Sequence, residues 1–364
     1  MKLADLPTPC LVLERTILRR NITRMAEAVG RHNLPLRPHM KTAKSIDVAR
    51  LALEGQPGGV TVSTLAEAEY FAAHGITDIL YAVGITPQKL DQVVKLNAAG
   101  AQVMVVTDDP DMADKIAAHP VSPRTLIEID TGESRGGVAP DDDILLTIAV
   151  RLGPRLAGVM THAGHSYSGR SIDDMVRIAE DERHGVTHAA ERLRAAGHAV
   201  PIVSTGSSPT ARHAVQLDGV TEVRAGVYMF GDLFQAEIGT HGLDDIAVTV
   251  LSSIIGRRAG RLLIDAGGLA LSKDRSTEKA PKDYGFGLVL DIAGSPLGST
   301  IVRRVYQEHG VIETDQTQTM WASIGERVRI APNHICMTAA AHDRYYVIDG
   351  DDNVIAVWPR VNGW

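Results

Sequence analysis

Short apolar runs alternate with longer amphipathic stretches over most of the first 240 residues. The runs LPLRPHM (34–40), VTVST (60–64), DILYAVG (78–84), QVMVVT (102–107), RTLIEID (124–130), LAGVMTH (156–162), PIVSTG (201–206) and TEVRAG (221–226) read as strands. Each is short, rich in β-branched residues and bounded by turn formers. Helix signals fall between them. Thr64 followed by Glu67 is a capping-box pattern, and Gly75 stands where that helix would end. Thr86 before Pro87 is a second entry signal, because the missing proline N–H would be unpaired in a first turn anyway. Longer helical patterns cover 14–30 and 171–197.

Eight strand-helix units in this length predict a (β/α)8 TIM-type barrel. An open doubly wound sheet is the competing architecture. It lacks its phosphate loops here, since no GxGxxG follows a strand and no GxxxxGK[ST] occurs. Past residue 240 the texture changes to β-like runs without long helices between them: IAVTVLSSIIG, GRLLIDAG, STIVRRVYQEHG, ERVRIAP, YYVID and NVIAVWP. The expected division is a barrel over 10–240 and a mostly β C-terminal domain over 241–364, joined by residues 1–9. The early run TPCLVLE is expected to pair with that second domain.

Composition narrows the function. The chain has 364 residues, 44% of them hydrophobic, and a formal charge of −7 with both signs interspersed. That length buries at least one large core. No cationic stripe exists for a phosphate backbone, so nucleic acid is an unexpected partner. Cys10 and Cys336 alone cannot form a disulfide framework, and no apolar run is long enough for a membrane span. The expectation is a cytoplasmic protein that acts on a small molecule.

The working face of a β/α barrel lies at the C-terminal strand ends. Strand one ends in Arg37, His39, Lys41 and Lys44; strand five carries Asp130 and Arg135; strand six carries His162, His165 and Tyr167. Ser204, Thr205, Gly206, Ser207, Gly226 and Tyr228 follow the last two strands, where this architecture usually holds a phosphate. A lysine partly desolvated beside Arg37 and His39 could act as a neutral amine toward an aldehyde. The competing reading is an ordinary surface lysine at a helix start.

In APNHICMT (331–338), an extended backbone would project His334 and Cys336 to one side, the spacing of a two-point metal clamp. Imidazole with thiolate favours zinc. A buried cysteine and a loop histidine explain the pair equally well. QEHG adds Glu308 and His309, which could orient such a site or carry protons.

RPHMKTAK, VSTLAEAEYF, DILYAVG, THAGHSY, STGSSPT, RAGVYMFGDLFQ, DAGGLALS, QEHG and PNHIC, in this order from residue 7 onward, resemble the D-serine dehydratase and D-threonine aldolase group of fold-type III pyridoxal-phosphate enzymes. The resemblance implies an alanine-racemase-like barrel with an added β domain, usually a homodimer. It implies that Lys41 carries pyridoxal 5'-phosphate covalently and that His39, Tyr167, Thr205, Gly206, Ser207, Gly226 and Tyr228 surround that cofactor. It makes Lys41, Tyr167 and His309 the catalytic candidates, and His334 with Cys336 the ligands of Zn2+, or of Mn2+ or another divalent metal. Cysteine at 336 matches the dehydratases, where the aldolases carry an acidic residue. The family's frequent KTHK reads KTAK here, with Ala43 in third place.

The expected activity is therefore dehydration of a β-hydroxy D-amino acid, D-serine first and D-threonine or D-3-hydroxyaspartate next, to a 2-oxo acid and ammonia. A metal-dependent D-threonine or D-3-hydroxyaspartate aldolase is the same-chemistry alternative. A non-catalytic cofactor carrier lacks a reason for the β-rich tail, and a racemase lacks an evident second base.

Overall fold

Helix boundaries follow local chemistry. Thr64 accepts the Glu67 N–H at 3.1 Å, and Asp109 accepts that of Met112 at 2.6 Å, each satisfying a first-turn donor that has no partner inside its own helix. The computed structural model describes residues 1–258, 260–313 and 322–364. Along the chain the elements are β1 (Cys10–Glu14), α1 (Arg15–Gly30), β2 (Leu36–Pro38), α2 (Ile46–Ala52), β3 (Val60–Val62), α3 (Leu65–Ala73), β4 (Asp78–Gly84), α4 (Pro87–Ala98), β5 (Gln102–Thr107), α5 (Pro110–Ala118), β6 (Thr125–Ile129), α6 (Ile144–Leu152), β7 (Leu156–Thr161), α7 (Ile172–Ala195), β8 (Ile202–Thr205), α8 (Ser208–His213) and β9 (Glu222–Ala225). There follow α9 (Leu233–Glu237), β10 (Val248–Arg258), β11 (Arg261–Ile264), α10 (Gly268–Leu271), β12 (Leu288–Leu290), β13 (Pro296–Val305), β14 (Gly310–Glu313), β15 (Arg327–Ala331), α11 (Ile335–Ala339), β16 (Arg344–Ile348) and β17 (Ala356–Pro359).

The chain forms two compact units, residues 23–226 with 361–364, and residues 1–22 with 227–360. In the first, eight parallel strands run in the order β2-β9-β8-β7-β6-β5-β4-β3. A parallel bridge between His39 and Thr61 joins the two ends of that order, and Met40 N–H donates to Thr61 O at 2.8 Å. The expected (β/α)8 barrel is thus present and nearly closed. Its interior carries a polar column: Arg37 Nε donates to Glu222 at 2.9 Å, and its two Nη groups donate in parallel to Asp78 at 3.0 Å each. Glu222 also accepts from Ser204 Oγ at 2.6 Å. Asp78 and Glu222 open their strands, so Arg37 points to the N-terminal end of the barrel and away from the mouth.

The second unit is built on a nine-stranded sheet in the order β11-β14-β13-β12-β15-β10-β1-β16-β17, mostly antiparallel. The long strand β10 shifts register between Ile254 and Gly256 and pairs with β15 in one half and β11 in the other. Those pairings close six strands into a ring. TPCLVLE is in this sheet, as expected: β1 pairs antiparallel with β10 and parallel with β16. One apolar cluster gathers Leu233, Ile246, Tyr284, Leu288, Leu290, Ile301 and Ala331. Among the described residues no helix is long and apolar enough to cross a membrane.

Candidate active site

Four barrel strands deliver chemistry to the C-terminal end. His39 and Lys41 follow β2, His162 follows β7, Gly206 and Ser207 follow β8, and Gly226 follows β9. The charges crowded after β2 turn out to have separate fates. Arg37 belongs to the interior column, and Lys44 pairs with buried Glu67 at 3.1 Å. Lys41 is exposed and, among the described residues, has no ion pair. The expectation of a partly buried amine beside Arg37 is therefore corrected: the groups that feel its charge are the imidazoles of His39 and His162.

Burial lowers both of those imidazoles, and the Lys41 charge lowers them further. His39 falls well below the ordinary histidine value, and His162 is pushed down to about 3. Both rings are neutral near pH 7. His162 Nδ1 stands 3.0 Å from Gly206 O, so the neutral ring carries its proton on Nδ1 and leaves Nε2 as an acceptor. His39 Nδ1 accepts the Lys41 N–H at 3.4 Å, a long contact. Tyr167 lies in a 3-10 turn, half-buried, its ring 6.4 Å from that of His162.

The turn after β8 is held by a residue the sequence reading did not single out. Glu182, in the middle of α7 and buried, accepts the N–H of Ala163 at 2.9 Å and of Gly206 at 3.0 Å. One carboxylate oxygen thereby ties together the loops that follow β7 and β8. Gly206 has φ +129°, and a Cβ there would stand 2.2 Å from Arg224 O, so only glycine fits. Gly226 is equally tight, with His39 O 2.7 Å from a would-be Cβ. Ser207 N–H donates to Thr210 Oγ1 at 3.0 Å. Two amides expected to face a phosphate thus already have protein partners. Thr205 Oγ1, by contrast, is buried and has none among the described residues. A periodicity signal for Glu182 existed: it falls on the same face of α7 as Met175, Ile178, Ala179 and Val186, an odd place for a carboxylate.

Tyr228, His309, His334 and Cys336 belong to the other unit. Tyr228 is buried in a 3-10 turn, and burial raises its hydroxyl pKa above the ordinary tyrosine value. His309 is exposed in the turn between β13 and β14. The segment HICM is not extended as expected. His334 caps α11 and Cys336 sits in that helix's first turn. The two side chains still hydrogen-bond, because a residue at the cap and one in the first turn can share a side. Burial alone would pull His334 down, yet Cys336 and Asp232 outweigh it and raise its pKa well above the ordinary value. Asp232 Oδ2 is 3.1 Å from His334 Nδ1 and accepts the Ile335 N–H at 3.1 Å, while Oδ1 accepts that of Gln235 at 2.8 Å. Asp232 was missed, although an aspartate three residues before a glutamine is a helix-entry signature. Among the described residues no three His, Cys, Asp or Glu side chains form a metal-holding group.

Residues 14–233 match the family described as alanine racemase, N-terminal domain, and residues 247–348 match the putative serine dehydratase domain. The chain is 42% identical to D-threo-3-hydroxyaspartate dehydratase of Delftia sp. (strain HT23), over 100% of this chain and 99% of that one. The solved structure of that enzyme overlays with a TM-score of 0.97 at 41% identity, covering 100% of both chains. D-serine dehydratase of Dictyostelium discoideum is 30% identical over 99% of this chain and 98% of its own. The 3-hydroxy-D-aspartate aldolase of Paracoccus denitrificans (strain Pd 1222) is 30% identical over 98% and 92%. A D-threo-3-hydroxyaspartate dehydratase 41% identical to this chain has also been solved with a histidine replaced by alanine and, in a metal-free form, with a cysteine replaced by alanine, at positions two apart.

Proposed function

Because the chain belongs to the alanine-racemase-like family that joins an alanine racemase N-terminal domain to a serine dehydratase domain, we propose that it is a pyridoxal-phosphate and metal dependent lyase, dehydrating a β-hydroxy D-amino acid to a 2-oxo acid and ammonia. The observation that carries the reading is Lys41, an amine at the barrel mouth with no ion pair among the described residues, next to two imidazoles held neutral. Full-length similarity to the Delftia enzyme supports D-threo-3-hydroxyaspartate ahead of D-serine as substrate.

The residues at the mouth fit the cofactor. Buried Thr205 Oγ1 has no partner among the described residues and offers a donor to its phosphate, and two uncharged rings suit the neighbourhood of a flat heteroaromatic. Pyridoxal phosphate supplies an electron sink for the pair left at Cα when its proton departs. Lys41 would hold the cofactor through Nζ, and the same nitrogen is the base placed to take the Cα proton. His39, Tyr167, Gly206, Ser207 and Gly226 are the barrel-unit residues that would hold the cofactor, and Tyr228 is the further candidate that the family resemblance names.

The donor set in the β-rich unit fits a borderline-soft cation. His334 Nδ1 is occupied by Asp232, which leaves Nε2 as the nitrogen for a metal, and Cys336 would add its sulfur; two protein ligands leave coordination positions open. The spacing of the replaced histidine and cysteine in the solved D-threo-3-hydroxyaspartate dehydratase variants supports this assignment. Zinc there supplies Lewis acidity toward a poor leaving group, hydroxide, an effect of several kcal/mol. Exposed His309 is the remaining candidate to carry a proton. The expected bounds of 10–240 and 241–364 shift, because β1 pairs with β10 and β16: the barrel unit of residues 23–226 would take the cofactor and the β-rich unit of residues 1–22 and 227–360 the metal, and a homodimer and a cytoplasmic setting complete the proposal.

Similarity to the Paracoccus aldolase sustains a second reading, retro-aldol cleavage of the same substrates. Product identification separates them. D-threo-3-hydroxyaspartate should give oxaloacetate and ammonia, and chelation should stop the reaction. Glycine and glyoxylate in equal amounts would replace the dehydratase reading by the aldolase one, and no turnover with metal and cofactor present would end both.

A further inference from the structure

Arg329 lies in the middle of β15, with Leu251 of β10 and Leu290 of β12 as its direct cross-strand neighbours. A cation between two leucines is costly unless an anion pairs with it, and Arg329 is only 5% exposed. Its Nε donates to Thr249 Oγ1 at 2.8 Å. Among the described residues the two Nη groups have no hydrogen-bond acceptor and the guanidinium has no ion pair. Burial is the strongest influence on it and pulls its pKa below the ordinary arginine value, while Glu14 and Asp291 oppose that from a distance.

The guanidinium borders a cavity of about 240 Å³ whose other walls include Ile17, Ile246, Leu290 and Glu14. Gly294 forms part of the rim, and a Cβ there would stand 2.9 Å from Arg329 Nη1, so the backbone of that turn covers the guanidinium closely. Space of this size admits a ligand of several heavy atoms and excludes a nucleotide. The fork of Nη donors matches a planar carboxylate, and Thr249 already fixes its orientation. The aliphatic walls favour an apolar body. Glu14 and Asp244 on the same lining, with Asp291 nearby, repel a second negative charge, which disfavours phosphate and dicarboxylates.

We infer that this cavity is a binding site for a small monocarboxylate with an apolar body, its carboxylate on the Arg329 guanidinium. The inference does not depend on the lyase reading.

Isobutyrate is the probe, and isobutyramide, of the same shape without the charge, is the control. At constant ionic strength, isobutyrate should raise the Tm of the full-length protein saturably and isobutyramide should not. Arg329→Met removes the unpaired buried charge, so its Tm without ligand should be unchanged or higher, and the isobutyrate response should vanish. Crystals soaked in isobutyrate should carry density against Arg329. Equal responses to acid and amide, an undiminished response in Arg329→Met, or soaked crystals with the cavity empty would each overturn the assignment. Should Arg329→Met fail to fold, the soak and the acid-amide comparison on the unaltered chain decide the matter.

Discussion

Asp232 Oδ2 stands 3.1 Å from His334 Nδ1 while accepting the Ile335 N–H at the same distance, so one fully buried oxygen fixes both the imidazole and the start of the helix that carries Cys336. A ring held this way has one tautomer and one orientation available for a metal. Asp232→Asn keeps the cap on α9 but weakens the orienting bond. It should lower zinc affinity by roughly 10- to 100-fold, read by competition with a chromophoric chelator. Affinity equal to that of the unaltered chain would show that Asp232 serves only the backbone.

Lys41 and Lys44 are three residues apart and are expected to behave differently. Borohydride reduction of the cofactor-loaded protein should leave a pyridoxyl group on the Lys41 peptide. Lys41→Ala should abolish that label and reduce activity by several orders of magnitude. Lys44→Ala should keep the label but unfold more easily, by about 3 kcal/mol, because it leaves Glu67 buried without its cation. A label on Lys44 in the unaltered chain would refute the assignment.

Glu182 gathers the N–H groups of Ala163 and Gly206 on a single oxygen. Glu182→Ala leaves both buried donors unpaired and should destabilise the protein by about 2–4 kcal/mol, seen in denaturant midpoints. Glu182→Gln retains an acceptor and should cost markedly less. The alanine variant should also retain pyridoxal phosphate less well in dialysis, since the Gly206 turn loses its anchor.

The buried imidazoles make acid stability predictable. Unfolded, His39 and His162 take up protons below about pH 6.5; folded, His162 resists protonation until about 3 and His39 is likewise held low. The unfolded state therefore binds more protons in that window, and stability falls as pH drops from about 6.5 toward 3. Each such histidine contributes a slope of about 1.4 kcal/mol per pH unit. His162→Gln should flatten the profile by about that amount, in urea melts across the range; an unchanged slope would mean that His162 is charged in the native protein.

Much of this protein is legible along the chain. Short apolar runs between capped amphipathic helices specify eight strand-helix units, and Thr64 and Ser171 cap helices where their residue types suggest. The identities at 39, 41, 334 and 336 name the chemistry available, because residue type alone decides what can form a Schiff base or bind a soft cation. Local pattern does not report what stands across space. It could not say that Arg37 turns inward to Glu222 and Asp78, that Lys44 is neutralised by Glu67, or that Lys41 is left over. It overextended HICM, since a capped turn and a strand begin with the same residues. It placed TPCLVLE beside the C-terminal domain but could not give its neighbours, β10 and β16, which join the sheet more than 230 residues later. Periodicity records which face of an element is buried; the partner that meets that face, and hence which charges cancel and which remain, is fixed only when distant strands close on one another.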